Sequence, residues 1–171
     1  IIFYPAGSAP NRNFIIKRRR KYSFASAPPP RSIEFPCNII QATMPQNPPP
    51  QNTIALDSIT HLTAEHRGRV VAAGSHGAVY AAYLAAKGGV RAVILNNAGI
   101  GKDGAGISGL AFLDDLGVAA AATSHLSARI GDGADMMARG VISHVNRTAA
   151  VLGCAPGQSC ADCAAAMTAA R

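Results

Sequence analysis

From residue 54 onward the apolar positions come in short runs parted by glycine-rich or polar segments. Arg69–Ala73 (RVVAA), Val90–Leu95 (VRAVIL) and Val118–Thr123 (VAAAAT) are too short and too uniformly apolar for helices, and they predict strands. Between the first two, Ala78 to Lys87 predicts a helix, with Ser75 as its N-cap and Gly88-Gly89 as its stop. Val79, Tyr80, Tyr83 and Leu84, at i, i+1, i+4 and i+5, predict its apolar face. A second helix runs from Ile107 to Leu116 and stops at Gly117. A long third helix is predicted from about Gly133 to Leu152, capped by Asp132, striped by Val141, Val145, Ala149 and Leu152, and closed by Gly153. Ahead of these elements, Ile54 to Leu62 reads as a short strand or a loop carrying Asp57 and Ser58, and Thr63 begins a single turn ending at Gly68. Ala161 to Ala170 reads as a last short helix.

Strand, ten-residue helix and strand make a βαβ unit, hence a parallel pair with a right-handed crossover. Repeated, the alternation predicts an α/β fold in three layers: a short, mostly parallel sheet with helices on both faces. The domain is half the size of a full dinucleotide fold, and a homo-oligomer would finish burying its faces.

Composition changes the picture mainly at the N-terminus. Residues 1–53 contain Pro28-Pro29-Pro30, Pro48-Pro49-Pro50 and the basic run Lys17 to Lys21, with no helical or strand period. Such a segment buries too little apolar surface to offset its chain entropy, and it reads as a disordered leader. Met44 is the first methionine, so the true start of the protein is expected near it. The leader also explains the formal charge of +7: residues 1–43 carry seven Lys/Arg against Glu34, leaving +1 for residues 44–171. The folded part is nearly neutral, which argues against nucleic acid as its partner. No apolar run reaches the roughly 18–20 residues that span a bilayer, and no secretory signal is recognisable. The compartment expected is the cytoplasm. The domain is expected over residues 54–157, with residues 158–171 an Ala-rich tail or short helix. Cys154, Cys160 and Cys163 lie in or beside that tail; a zinc site would need a fourth ligand, and a redox C-x-x-C would begin a helix straight after a strand, so an ordinary tail is preferred.

In a parallel sheet every strand ends on the same side, so the loops Gly74–Gly77, Asn96–Gly106 and Ser124–Asp132 should share one rim. Together they hold Ser75, His76, Asn96, Asn97, Lys102, Asp103, Ser124, His125, Ser127, Arg129 and Asp132. Helix capping accounts for Ser75, Asp103 and Asp132. It does not account for two histidines, two asparagines, a lysine and an arginine on one edge, and that surplus predicts a ligand site. His76, Asp103 and Asp132 are the acid/base candidates, with Ser75 as nucleophile or hydroxyl donor. Lys102 and Arg129 are the anion binders, and Asn96, Asn97, His125 and Ser127 complete the ligand contacts. A triad of Ser75 with His125 and Asp103 or Asp132 stays open behind that simpler picture. His144 reads as an ordinary helix-face histidine, and His61 and His66 carry no functional signal.

Two nucleotide signatures fail. Gly99-Ile100-Gly101-Lys102-Asp103-Gly104 has the form G-x-G-x-x-G, but Asn96-Asn97-Ala98 separate it from its strand, and Ser124-His125 stand where the ribose-binding acid belongs. Gly101-Lys102 is followed by Asp103, which breaks the P-loop pattern. What survives is general: amides at a helix start, with Lys102, as an anion site. No cofactor is assigned. Val93 to Gly99 looks like the N-N-A-G segment of short-chain dehydrogenases, but the last tyrosine is Tyr83, upstream of it, so their Tyr/Lys pair cannot form.

Taken from Asp57 to Gly157, the motifs Asp57-Ser58, Gly74-Ser75-His76-Gly77, Asn96 with Ala98-Gly99, Asp103–Ile107, Ser127–Asp132 and Gly140–Ser143 with Asn146 form a pattern. It resembles a bacterial Rossmann-like α/β family of unknown function whose motifs read G-S-H-G-G, N-D-A-G, D-G-A-G-I and S-A-R-I-G-D. Asn97 stands where that family has an acid, and Ala78 where it has a second glycine. The resemblance implies a fold and a site, but no reaction. If the acid is a catalytic base, Asn97 implies impaired activity. The functional expectation is a small-molecule-binding α/β protein, an enzyme acting on a small anionic metabolite by acid/base chemistry at the rim. The alternatives are a non-catalytic ligand- or nucleotide-binding module and an impaired paralogue.

Overall fold

The computed structural model describes residues 52–169; the leader predicted over residues 1–53 falls almost wholly outside them. Five strands form one sheet in the order β1 (Thr53–Leu56), β2 (Val70–His76), β3 (Ala92–Asn96), β4 (Ala119–Thr123), β5 (Ile142–Val145). The first four are parallel and β5 runs antiparallel to β4. The register runs straight across the middle, with Val71 opposite Val93 and Val93 opposite Ala120. Because side chains alternate along a strand, each apolar run feeds two cores. Val71, Ala73, Val93, Leu95, Ala120 and Ala122 face α1 (Val79–Gly88) and α2 (Gly109–Asp115). Val70, Ala72, Ala92, Ile94, Ala119 and Ala121 face α3 (Gly133–Arg139), α4 (Arg147–Val151) and α5 (Cys160–Ala169). The three-layer, open, Rossmann-like sheet is therefore the architecture of this chain. Its strand order is sequential, so right-handed crossovers put α1 and α2 on one face, and the strand order has no reversal that would open a crevice within the sheet.

Several elements differ from the sequence reading. β2 continues through Gly74, Ser75 and His76, so Ser75 is a strand residue and the N-cap of α1 is Ala78. The buried face of α1 is Ala81, Ala82 and Ala85, whereas Val79, Tyr80 and Tyr83 are exposed; of the predicted apolar face only Leu84 packs against the core. The reason is close approach: a Cβ on Gly109 of α2 would stand 2.6 Å from Ala82 Cβ, so only small residues fit between the helices. The run from Val118 holds as a strand despite its alanines, since helices press on it from both sides.

The long helix predicted from Gly133 to Leu152 is three elements. α3 ends at Arg139, and Gly140 is extended while its N–H still closes the last turn onto Met136 O. Ile142 and Val145 then supply the strand β5, with Ile142 in the core and Val141 exposed. Asn146 starts α4: its Oδ1 accepts from Ala149 N (2.8 Å) and Ala120 N (3.0 Å), while its Nδ2 donates to Val118 O (2.8 Å). Capping one helix while pairing with the edge of β4 is why an asparagine serves there. His144 thus lies on a strand, not a helix face. Further on, residues 160–169 form the short-helix alternative for the C-terminal segment, with Cys160, Cys163, Ala164 and Met167 buried against the sheet.

Candidate functional site

The parallel strands end together at Leu56, His76, Asn96 and Thr123, and the start of antiparallel β5 joins them. Backbone bonds continue the ladder across this rim: Gly77 N donates to Asn96 O, Asn97 N to Thr123 O and Ser124 N to Val141 O, each at 2.8 Å. The predicted shared edge for the three loops exists.

The central loop, after β3, is tightly wound. Ala98 (φ 47°), Ile100 (φ 67°) and Asp103 (φ 55°) sit in the left-handed region. For a β-branched residue such as Ile100 that is a rare conformation, and strain of this kind costs roughly 1–3 kcal/mol per residue. Hydrogen bonds hold it. Asn96 Oδ1 accepts from Ala98 N (2.8 Å), Asn97 Oδ1 from Gly99 N (3.0 Å), and Asn97 O from Ile100 N (2.7 Å). Ile100 O accepts from Gly106 N, and a Cβ on Gly106 would fall 2.5 Å from Asn97 O. The amides of residues 98–101 are thus satisfied inside the loop, which removes them from the general anion site expected there. Lys102 and Asp103 stand exposed on the same loop, and Asp103 is a kink residue rather than a helix cap.

Asn97 connects this loop to its neighbours. It is 4% exposed. Besides Gly99 N, its Oδ1 accepts from His125 N (3.0 Å) and pairs with His125 Nδ1 at 2.9 Å. Its Nδ2 donates to Ser143 Oγ (3.1 Å), Ser143 Oγ donates to Ala122 O (2.9 Å), and His144 Nδ1 lies 3.0 Å from Ser143 Oγ. Proton counting orients the rings. A carboxamide oxygen only accepts, so His125 Nδ1 carries a hydrogen and its Nε2 keeps a lone pair in the neutral ring. Ser143 spends its hydrogen on Ala122 O, so His144 Nδ1 is also a donor. The opposite holds at His76: its Nδ1 accepts from Ala78 N (3.3 Å), so the hydrogen of its neutral ring sits on Nε2. His76 and His125 are both exposed. The rim therefore offers one imidazole N–H and one imidazole lone pair.

The other candidates have structural duties. Ser75 Oγ accepts from Ile59 N (2.9 Å) and lies 3.4 Å from Ser58 Oγ, which ties it to the turn after β1. Asp132 caps α3 through Asp135 N (2.8 Å), while Asp57 Oδ1 accepts from Gly133 N (3.1 Å). Ser127 Oγ donates to Ser124 O and accepts from Val141 N, and Asn96 Nδ2 donates to Ala128 O. Arg129 is exposed and is held by its backbone N–H on Asp135 Oδ2 (2.8 Å). That bond, with the Arg139 ion pair, keeps the Asp135 carboxyl below its usual range. The triad of Ser75, His125 and Asp103 or Asp132 is not assembled, because the side chain bonded to His125 is Asn97. Ser143 and His144 are not among the sequence candidates, since the helix predicted from Gly133 to Leu152 runs across them, where the structure has a strand. The signal for them was Ile142-Ser143-His144-Val145, two β-branched residues enclosed by Gly140 and Asn146.

Cys154, Cys160 and Cys163 are free and buried. Burial pushes the Cys160 thiol up to about 12 and raises the other two as well, so these groups are protonated core residues. Among the described residues no helix is long and apolar enough to cross a membrane. Comparison with protein-family models, with curated proteins and with solved structures finds no match. The class is therefore defined by the architecture alone, an α/β protein with a mostly parallel five-stranded sheet and a polar strand-end rim.

Proposed function

We propose that this chain binds a small anionic metabolite at the strand-end rim and acts on it by proton transfer, with His125 as the central group. One observation carries the reading: a buried side chain, Asn97, commits its oxygen to both the backbone and the ring of an exposed histidine. A surface histidine needs no such mount to stay soluble, whereas a reactive one needs a fixed ring and tautomer. His125 Nε2 is the base. His76, presenting an Nε2 hydrogen, is the donor on the far side of β3, two strand spacings or about 10 Å away along the rim. A small molecule fits that gap. Lys102 and Arg129 supply the positive charge for its anionic group. Asp103, exposed beside Lys102, remains available for proton transfer, while Asp132 Oδ1 accepts from Asp135 N and Ser75 Oγ from Ile59 N, which makes both of them supports of the rim in this reading.

A thermal-shift screen of small acids and phosphate esters on the full chain, malonate and glycerol 3-phosphate among them, tests this. At least one compound should raise Tm in a concentration-dependent way, and raise it less in His125→Ala and Arg129→Ala. Equal stabilisation of both variants, or no stabilisation by any compound, contradicts the proposal.

The same residue favours a second reading. Asn97 holds His125 without charge, where the resembling family carries an acid, so the rim of this chain can bind without turning over. Under that reading Asn97→Asp brings turnover to a chain that otherwise only binds; under the first, the wild type already converts its ligand.

A further inference from the structure

A cavity of about 410 Å³ lies between the segment after β1 and helix α1, lined by side chains outside the Asn97–His125–Ser143 network. Its apolar wall is Ile59, Leu62 and Leu84, which belong to or pack on the α1-side core. Tyr80 adds an aromatic ring that is 67% exposed. Tyr80, Leu84 and Lys87 stand at i, i+4 and i+7, so they form one stripe along α1. Along that stripe the lining changes from aromatic to aliphatic to cationic over roughly 10 Å of helix rise. The cationic end is double: Arg67 lies across the end of α1, where a Cβ on Gly89 would meet its Nη1 at 3.0 Å.

Among the described residues neither cation has an ion-pair partner: the ion pairs are Arg139–Asp135 and Arg147–Asp114. Glu65, two residues from Arg67, is within ion-pair distance of neither cation. Lys87 instead lies 6.0 Å from the Tyr83 ring centroid, and Tyr83 stacks on Tyr80. Countering the carbonyls at the end of α1 occupies part of this charge. That role does not require an apolar cavity of this size, opening beside an exposed tyrosine.

We propose that this groove is a second binding site, for a small amphipathic acid. The apolar or aromatic body lies on Leu62, Leu84 and Tyr80, and the carboxylate meets Arg67 and Lys87. The volume falls in the range of small-molecule pockets, and apolar walls with a few placed charges are their usual chemistry.

The test is a titration of the full, isotope-labelled chain with 3-phenylpropionate, followed by amide chemical shifts, beside its neutral isostere 3-phenylpropanamide. Saturable shifts centred on residues 59–67 and 80–89 are expected, with the amide roughly tenfold weaker, as fits one lost charge-assisted contact. The double variant Arg67→Gln/Lys87→Gln should bind the acid no better than the amide. Both residues are on the surface, so the variant should fold, and an unchanged spectrum in the α5 region verifies that it does. His125→Ala should bind as the wild type does, which separates this groove from the rim. Equal affinity for acid and amide, shifts centred elsewhere, or no saturation overturns the proposal.

Discussion

The side chain of Asn97 makes four hydrogen bonds from a nearly closed position: Gly99 N, His125 N and the His125 ring to its oxygen, and Ser143 from its nitrogen. Asn97→Ala leaves several partly buried groups unpaired at once, so urea denaturation should show a loss of about 2–4 kcal/mol. A loss under about 0.5 kcal/mol, the range of ordinary surface substitutions, would mean that the network contributes little. At this scale the sequence was partly legible. It placed Asn97 and His125 on one rim because parallel strands must end together. It could not pair them, because a hydrogen bond between residues 28 apart depends on strand register. Ser75 and Asp132 looked chemical for the same reason: their partners, Ile59 N and the amide of Asp135, are backbone groups that composition does not reveal.

Among the elements, α1 and the loop after β3 carry the sharpest consequences. Pattern alone puts Tyr80 and Tyr83 inside α1, but the structure puts Ala82 there. Tyr80→Ala should therefore change stability by no more than about 0.5 kcal/mol. Ala82→Leu, forced against Gly109, should cost about 1–3 kcal/mol. Thermal melts of the two variants decide between the faces, and the reverse order would restore the pattern-based assignment. Hydrophobic periodicity failed here because it weighs side-chain size, while helices in close contact select for smallness. In the loop, Gly106→Ala places a methyl against Asn97 O and Ile100 O. It should displace the Asn97 turn at a cost of about 1–3 kcal/mol, and the amide shifts of Gly99 and His125 should move with it. The predicted long helix failed for a related reason: Val141, Val145 and Ala149 satisfy a helical stripe, yet Gly140 and Asn146 are stop and start signals enclosing a strand only four residues long.

For the whole molecule, α/β class, parallel pairing and coverage of both faces followed from short apolar runs alternating with helices. The antiparallel fifth strand and the burial of α5 did not. Acid sensitivity belongs to this scale. Asp114, at the end of α2, accepts from Arg147 Nε (2.6 Å) and from Thr148 N and Oγ1 (2.9 Å each), joining α2 to α4 across the edge of the sheet. The Arg147 guanidinium, then the Thr148 amide, hold its carboxyl down to about 2. A carboxyl whose value is lower in the folded chain contributes stability above the unfolded value, near 3.9, and loses it as pH falls through the folded one. Stability should therefore decline between about pH 4 and pH 2. Asp114→Asn should flatten that limb in pH-dependent denaturation, whereas an unchanged limb would place the acid sensitivity elsewhere.

The mounting of His125 by Asn97 is open to one direct measurement, the multiple-bond nitrogen–proton spectrum of the histidine side chains in mildly alkaline buffer. In the wild type His125 should show the hydrogen on Nδ1 and a free Nε2, and in Asn97→Ala that preference should collapse toward the mixture of a free ring. A wild-type His125 protonated on Nε2, or a tautomer indifferent to the loss of Asn97, would contradict the account.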